Sequence, residues 1–135
     1  MQDKTTESQP KNTVFLVDDE PDITFTLKKM LDQNGFTVHA FNDPKRALDE
    51  LRVNGKDCIV LLSDIRMPEM NGFQLARSVS QLRPDVRIVL MTAFEIQKSE
   101  FAKMFPSTDV VAFLKKPVSQ KKLIDTLSAL FVDGR

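Results

Sequence analysis

The chain has one cysteine and one histidine, and its 19 basic side chains cancel its 19 acidic ones. Each of these scarcities excludes something. A lone Cys58 has no partner for an internal disulfide; set in an apolar run, it reads as a small buried hydrophobe and suits a reducing compartment. A lone His39 shows no partner in the sequence and reads as a strand residue without assigned function, so no cysteine–histidine metal framework is present. Zero net charge means no global field drawing the protein to nucleic acid or to an anionic membrane, and any charge-based function must be local. The N-terminal "MQDKTTESQPKN" has no apolar h-region, and the apolar runs are far too short to span a bilayer. The protein therefore reads as soluble and cytoplasmic. Internal repeats and low-complexity tracts are also missing.

What is present is a chain of 135 residues, 41% apolar, enough for one domain with a real core. Residues 1–12 are polar and aperiodic and read as a mobile leader, with an ordered domain over 13–133. Within it, five β-rich apolar runs, "TVFLV", "FTVHAF", "CIVLLS", "VRIVLM" and "VVAFL", alternate with helical patterns. The first helix follows Pro21, places Ile23, Leu27, Met30 and Leu31 on one face and stops at Asn34 and Gly35. The second opens with Asp43 as N-cap and Pro44 at its first position, striped by Ala47, Leu48 and Leu51. The third runs from about Asn71 through Leu75, Ala76, Val79 and Leu82 to Pro84. The last follows Ser119, with Leu123, Leu127, Leu130 and Phe131 on one face. Between Glu95 and Phe105 the apolar residues make a poor stripe, so a short or mobile fourth helix is as good a reading as a regular one.

Strands alternating with helices imply a parallel sheet covered on both faces, which explains why "IVLL" and "IVLM" are continuously apolar. The expected fold is α/β, a five-stranded parallel sheet of order 2-1-3-4-5, flavodoxin-like, with ligands beyond the carboxyl ends of the strands. Those ends carry Asp18 and Asp19 after the first strand, Asp64 after the third, Thr92 after the fourth and Lys116 after the fifth; the second ends without evident chemistry. Carboxylates gathered at one rim repel one another unless a cation joins them, and an all-oxygen donor set suits a hard ion such as Mg²⁺. With Lys116 and Thr92 able to receive phosphoryl oxygens and Asp64 central, the chemistry suggested is phosphoryl transfer onto an aspartate.

Four ordered motifs carry a family resemblance: "VDDEPD" after the first strand, "LLSDIRMPEMNG" around Asp64, "LMTA" around Thr92 and "FLKKP" around Lys116. From about Thr13 to Phe131 the sequence resembles the receiver domains of two-component response regulators, especially single-domain ones of the chemotaxis type. The resemblance implies that Asp64 takes a phosphoryl group from a phosphohistidine on a sensor histidine kinase or phosphotransfer protein. It implies Mg²⁺ (or Mn²⁺) held by Asp19 and Asp64 directly, by Asp18 through water and by the backbone carbonyl of Arg66. Thr92 and Lys116 would contact the phosphoryl oxygens, Phe113 would be the switch aromatic, and the Lys116–Pro117 peptide would be cis. Arg66 and Phe94 would flank the hydrolytic water and modulate phosphate lifetime. The downstream partner is expected on the face of the fourth helix, fifth strand and fifth helix, where Lys115, Lys121 and Lys122 add a basic tint; nucleic acid is not an expected direct partner.

Each of these residues also has a plainer reading. Asp18, Asp19 and Glu20 could be a helix-start cluster favoured by the helix dipole, and Glu20 keeps that role here. Asp64 could be a turn former, Thr92 a strand end and Lys116 one lysine of a wet surface; Phe113 is partly core in either case. The apolar run before Asp64 is longer than the family's usual one, and "STDVV" replaces a frequent Gly-Ala pair before the fifth strand. Two competing functions remain. A metal-dependent phosphatase with Asp64 as nucleophile would need a second aspartate where Arg66 stands. A phosphorylation-independent scaffold would keep the fold without the reaction. The chain ends at "FVDGR" just past the last helix, as either a stand-alone regulator or a receiver cut from a longer protein.

Overall fold

A computed structural model of the protein describes residues 12–94, 99, 103 and 110–133. Strand β1 (Thr13–Val17) leads to helix α1 (Pro21–Gln33), β2 (Thr37–Phe41) to α2 (Pro44–Asn54) and β3 (Val60–Asp64) to α3 (Gly72–Leu82). Strands β4 (Arg87–Thr92) and β5 (Val110–Lys115) and a C-terminal helix (Gln120–Asp133) complete the described chain. The five strands form one sheet of order β2-β1-β3-β4-β5, and every neighbouring pair is parallel. The expected fold is therefore the observed one. The expected leader lies outside the described residues except for Asn12, whose carbonyl accepts a hydrogen bond from the Thr37 amide (2.9 Å). The weakly striped segment 95–105 also lies outside them, but for the isolated Ser99 and Lys103.

Side-chain alternation along the strands feeds two cores. Phe15, Val17, Leu61, Ile88 and Leu90 pack on one face with Ala47, Leu48 and Leu51 of α2 and Leu75, Ala76 and Val79 of α3. Val14, Leu16, Leu62, Val89, Met91 and Leu114 pack on the other with Leu27 and Leu31 of α1 and Leu123 and Leu127 of the C-terminal helix. Because β1, β3 and β4 lie inside the sheet and are covered on both sides, every residue of β1 and β3 is buried. No helix among the described residues is long and apolar enough to cross a membrane.

The helix ends follow local chemistry. Asp43 accepts the Lys45 amide at the start of α2, with Pro44 at its first position. Asn71 and Gln74 form a reciprocal capping box on α3 (2.9 Å each way). Helix α1 ends at Asn34, and Gly35 turns the chain at φ +89°, where a side chain would be strained. Strand β3 begins later than the apolar run suggests. A 3₁₀ turn over Gly55–Asp57 draws the Cys58 amide back to the Gly55 carbonyl (2.9 Å), so the ladder of β3 starts at Val60.

That turn is held from a segment distant along the chain. Arg83, just after α3, donates to the carbonyls of Gly55 (2.7 Å) and Cys58 (3.1 Å) and pairs with Asp85 (2.8 Å). The Arg83 side chain is mostly covered while Asp85 is exposed, so the carbonyl bonds should matter more than the ion pair. Arg83→Ala should cost about 1–3 kcal/mol in urea unfolding, and Asp85→Ala about 0.5 kcal/mol or less. Equal losses would mean that the ion pair, not the carbonyl clamp, is the stabilising element.

Candidate functional site

The parallel sheet brings the carboxyl ends of β1, β3, β4 and β5 to one rim. Apolar residues dominate β1, β3 and β4, with Ser63 buried just before Asp64, and the polar rim follows at their ends. Asp18 is fully buried, Asp64 is 6% and Thr92 5% exposed, and Asp19 is half-buried. One carboxylate oxygen from each of Asp18, Asp19 and Asp64 falls within a group whose members all lie within 4.8 Å of one another. Helix α3 presses close behind: a Cβ on Gly72 would meet the Asp64 carbonyl oxygen and come within 2.8 Å of the Ile65 Cα. Only glycine allows this approach, which fixes the backbone carrying Asp64.

Lys116 joins the cluster from the end of β5. Its ammonium lies 3.0 Å from Asp64 Oδ1 and 3.1 Å from Asp18 Oδ2. Burial works against that ammonium, but its bonds to Asp64 and Asp18 outweigh burial and raise its pKa. For Asp64 the balance runs against ionisation: burial pushes its pKa up and the Asp18 carboxylate adds to this, while the Lys116 hydrogen bond opposes both. The other oxygen of Asp18 accepts the Glu20 amide (3.0 Å), so both its carboxylate oxygens are engaged. Three carboxylates set against one ammonium leave an excess negative charge of two. Hard oxygen donors with that excess charge fit a divalent cation of the Mg²⁺ kind.

The remaining expected residues surround this centre. The Thr92 hydroxyl accepts the Phe94 amide (3.0 Å), and Phe94 is 60% exposed. The Thr92 carbonyl accepts the Lys116 amide (2.7 Å), tying β4 to the Lys116 loop. The Lys116–Pro117 peptide is cis. Phe113 is half-buried against the α2–α3 core, and Arg66 is exposed beside Asp64 in the loop leading to α3. Glu20 is the N-cap of α1 through its backbone, its carbonyl accepting the Ile23 and Thr24 amides. Lys115, Lys121 and Lys122 are exposed on the side of β5 and the C-terminal helix, and Lys121 pairs with Asp125 at 2.8 Å. Cys58 is buried, and desolvation pushes its thiol up to about 12, so it is no nucleophile.

The reading of β2 as a strand without chemistry at its end needs correction. Asn42 follows it directly and donates to the Asp18 carbonyl (2.8 Å) and the Thr24 hydroxyl (2.9 Å). An asparagine between a strand and a helix cap looks like a turn residue, and no local pattern betrays a bond spanning 24 positions.

The family model for the response regulator receiver domain matches residues 14–128. The chain belongs to that family. Its receiver domain is 32% identical over 135 residues to the transcriptional regulatory protein CreB of Escherichia coli (strain K12), covering 92% of this chain and 58% of that protein. It is 30% identical over 128 residues to the sensor kinase CckA of Brucella abortus (strain 2308), covering 95% and 13% respectively. The chain thus spans less than two thirds of either curated relative. A CheY-like receiver domain protein from Methanospirillum hungatei JF-1 shares the fold at a TM-score of 0.81 and 22% identity, over 93% of this chain and 97% of that one. Chemotaxis protein CheY4 of Vibrio cholerae does so at 0.77 and 24%, over 88% and 98%.

The electrostatics of this receiver can be tested without any reaction. Because the folded state raises the pKa of Asp64 above its ordinary 3.8, stability is present while Asp64 is protonated and is lost as pH rises through the folded value. In EDTA at pH 7, Asp64→Asn should therefore melt a few degrees higher than the wild type, at about 3–5 °C per kcal/mol of strain relieved. The gap should close below pH 3.8; a variant that melts lower at pH 7 would refute the charge penalty that burial and Asp18 place on Asp64.

Proposed function

We propose that the protein is a phosphorylatable receiver: Asp64 accepts a phosphoryl group from the phosphohistidine of a sensor histidine kinase or phosphotransfer protein, in a Mg²⁺-dependent reaction. The single observation that carries this reading is the meeting of Lys116 with Asp64 and Asp18 at the rim, beside Thr92. Asp19, Asp64, the backbone carbonyl of Arg66 and, through water, Asp18 are the groups proposed to hold Mg²⁺ (or Mn²⁺). The ion would supply charge neutralisation for the carboxylates and for incoming phosphoryl oxygens.

The chain's own part is to orient and to balance charge. An Asp64 carboxylate oxygen forms the new bond to phosphorus as the bond from phosphorus to the imidazole nitrogen breaks, the imidazole leaving with that electron pair. The Lys116 ammonium passes from the Asp64 carboxylate to a phosphoryl oxygen without crossing a solvent gap, because it already sits 3.0 Å away. The Thr92 hydroxyl, now accepting from Phe94, turns to donate to another. Phosphorylation adds about −1.5 to −2 charges at the rim, and movement of Thr92 and an inward turn of Phe113 would carry that change to the partner face. That face is proposed to comprise segment 95–105, β5 and the C-terminal helix, and the protein to act in the cytoplasm. Return to the resting state is water attack on phosphorus, which restores the Asp64 carboxylate. Arg66 and Phe94 are proposed to flank that water's path. An external phosphatase is disfavoured because the position of its second acid carries Arg66, which is exposed.

Acetyl phosphate with Mg²⁺ should add one phosphoryl group to the intact protein by mass spectrometry, and Asp64→Asn or EDTA should abolish the adduct. A wild-type protein that stays unmodified would support the phosphorylation-independent scaffold instead. Phe94→Ala should change the first-order loss of the phosphoryl group by about threefold or more, a barrier change of at least about 0.65 kcal/mol. An unchanged rate would remove Phe94 from the hydrolytic path.

A further inference from the structure

Asp19, the residue proposed to bind the ion directly from β1, is held only by its backbone. Among the described residues no hydrogen bond engages its carboxylate, whereas both oxygens of Asp18 are engaged. The direction of the Asp19 side chain therefore follows from the plane of the Asp18–Asp19 peptide. Both peptide groups flanking Asp18 are tied to the end of the edge strand β2: the Asp18 amide donates to the Phe41 carbonyl (3.1 Å), and the Asp18 carbonyl accepts from Asn42 Nδ2 (2.8 Å).

Resting on the reading that the acidic rim binds a divalent cation, we propose that Asn42 is a positioning residue, whose side-chain amide fixes the Asp18–Asp19 peptide and thereby aims Asp19 at the ion. The chemistry of its partners determines which end of the amide faces them. The Asp18 carbonyl can only accept, and the Thr24 hydroxyl spends its own proton on the Pro21 carbonyl (3.0 Å), so it too accepts from Asn42. Both partners require the NH₂ group. Each of its two protons has one acceptor, so the amide cannot rotate without losing both bonds. No aspartate or hydrophobe at this position reproduces that arrangement. The acidic loop is thus braced from β2 on one side and from Lys116, at the other end of the sheet, on the other.

The chain has no tryptophan or tyrosine, so metal binding is best followed by the electron paramagnetic resonance signal of free Mn²⁺. Groups that orient metal ligands from outside the coordination sphere typically change affinity by about 10–100-fold. Asn42→Ala should weaken Mn²⁺ binding by about tenfold, and its metal-free form should stay folded but melt below the wild type because two part-buried hydrogen bonds are lost. Asn42→Asp, which sets a carboxylate against the Asp18 carbonyl, should weaken it at least as much. Thr24→Val removes the amide's other partner but leaves the bond to Asp18 intact; it should bind Mn²⁺ within about twofold of the wild type even if it melts lower. With acetyl phosphate, the Mg²⁺ concentration for half-maximal phosphorylation of Asn42→Ala should rise about tenfold, with the rate at saturation within about threefold of the wild type.

Unchanged Mn²⁺ affinity in folded Asn42→Ala would overturn the proposal, and so would an equal loss in Thr24→Val, which would place the effect in the start of α1. A wild-type protein that binds no Mn²⁺ would overturn both the metal reading and this inference. One that binds Mn²⁺ but takes no phosphoryl group would sink only the proposed reaction, and the affinities of the variants would still decide the role of Asn42.

Discussion

Three carboxylates crowded within 4.8 Å, two of them buried, are a fold-level problem before they are a functional device. Burial, with the Asp18 carboxylate adding to it, holds the Asp64 carboxyl above its ordinary pKa. The ammonium that relieves it comes from Lys116, 98 residues after Asp18. The rim can only exist if β5 closes the sheet on the correct side of β4, so the ion pair and the strand order depend on each other. Such a cluster leaves the rim short of positive charge, which is the basis of the cation and phosphoryl binding proposed for it.

The surrounding structure divides its labour around that rim. Below it, continuous apolar strands covered on both faces give a rigid floor, so the carboxylates are held by packed backbone rather than by mobile loops. Behind it, Gly72 lets the start of α3 lie directly against the Asp64 carbonyl, and the capping box of Asn71 and Gln74 keeps that helix end in place. Beside it, the Thr92 hydroxyl accepts the Phe94 amide, which leaves its own proton to donate elsewhere. Rigid support under Asp64 and a hydroxyl beside it that can reorient are consistent with the phosphorylation switch proposed above.

Much of this was legible in the residues. The five strands, the caps at Asp43 and Asn71, the stop at Gly35 and the alignment of Asp18, Asp19, Asp64, Thr92 and Lys116 on strand ends follow from periodicity and local chemistry. The misread places have a shared cause. Strand β3 was expected to begin at Cys58, but the 3₁₀ turn before it is held by Arg83 across 25 and 28 positions. The end of β2 looked bare, although Asn42 reaches Asp18 across 24. Contacts within one helix or strand leave a pattern in the sequence, whereas a single bond between distant loops leaves none.

The sequence by itself determined which segments become strands and helices, because hydrophobic spacing and capping act over a few residues. It also determined which polar side chains end the strands, because a residue just past an apolar run must leave the core. The tertiary structure alone decided which of those groups meet. That Lys116 bridges Asp18 and Asp64, that Gly72 rather than a larger residue backs the Asp64 carbonyl, and that Asn42 grips the Asp18 peptide all depend on strand order and register. Those arise from burying two hydrophobic faces at once, a requirement of the whole sheet that no local stretch of chain can express.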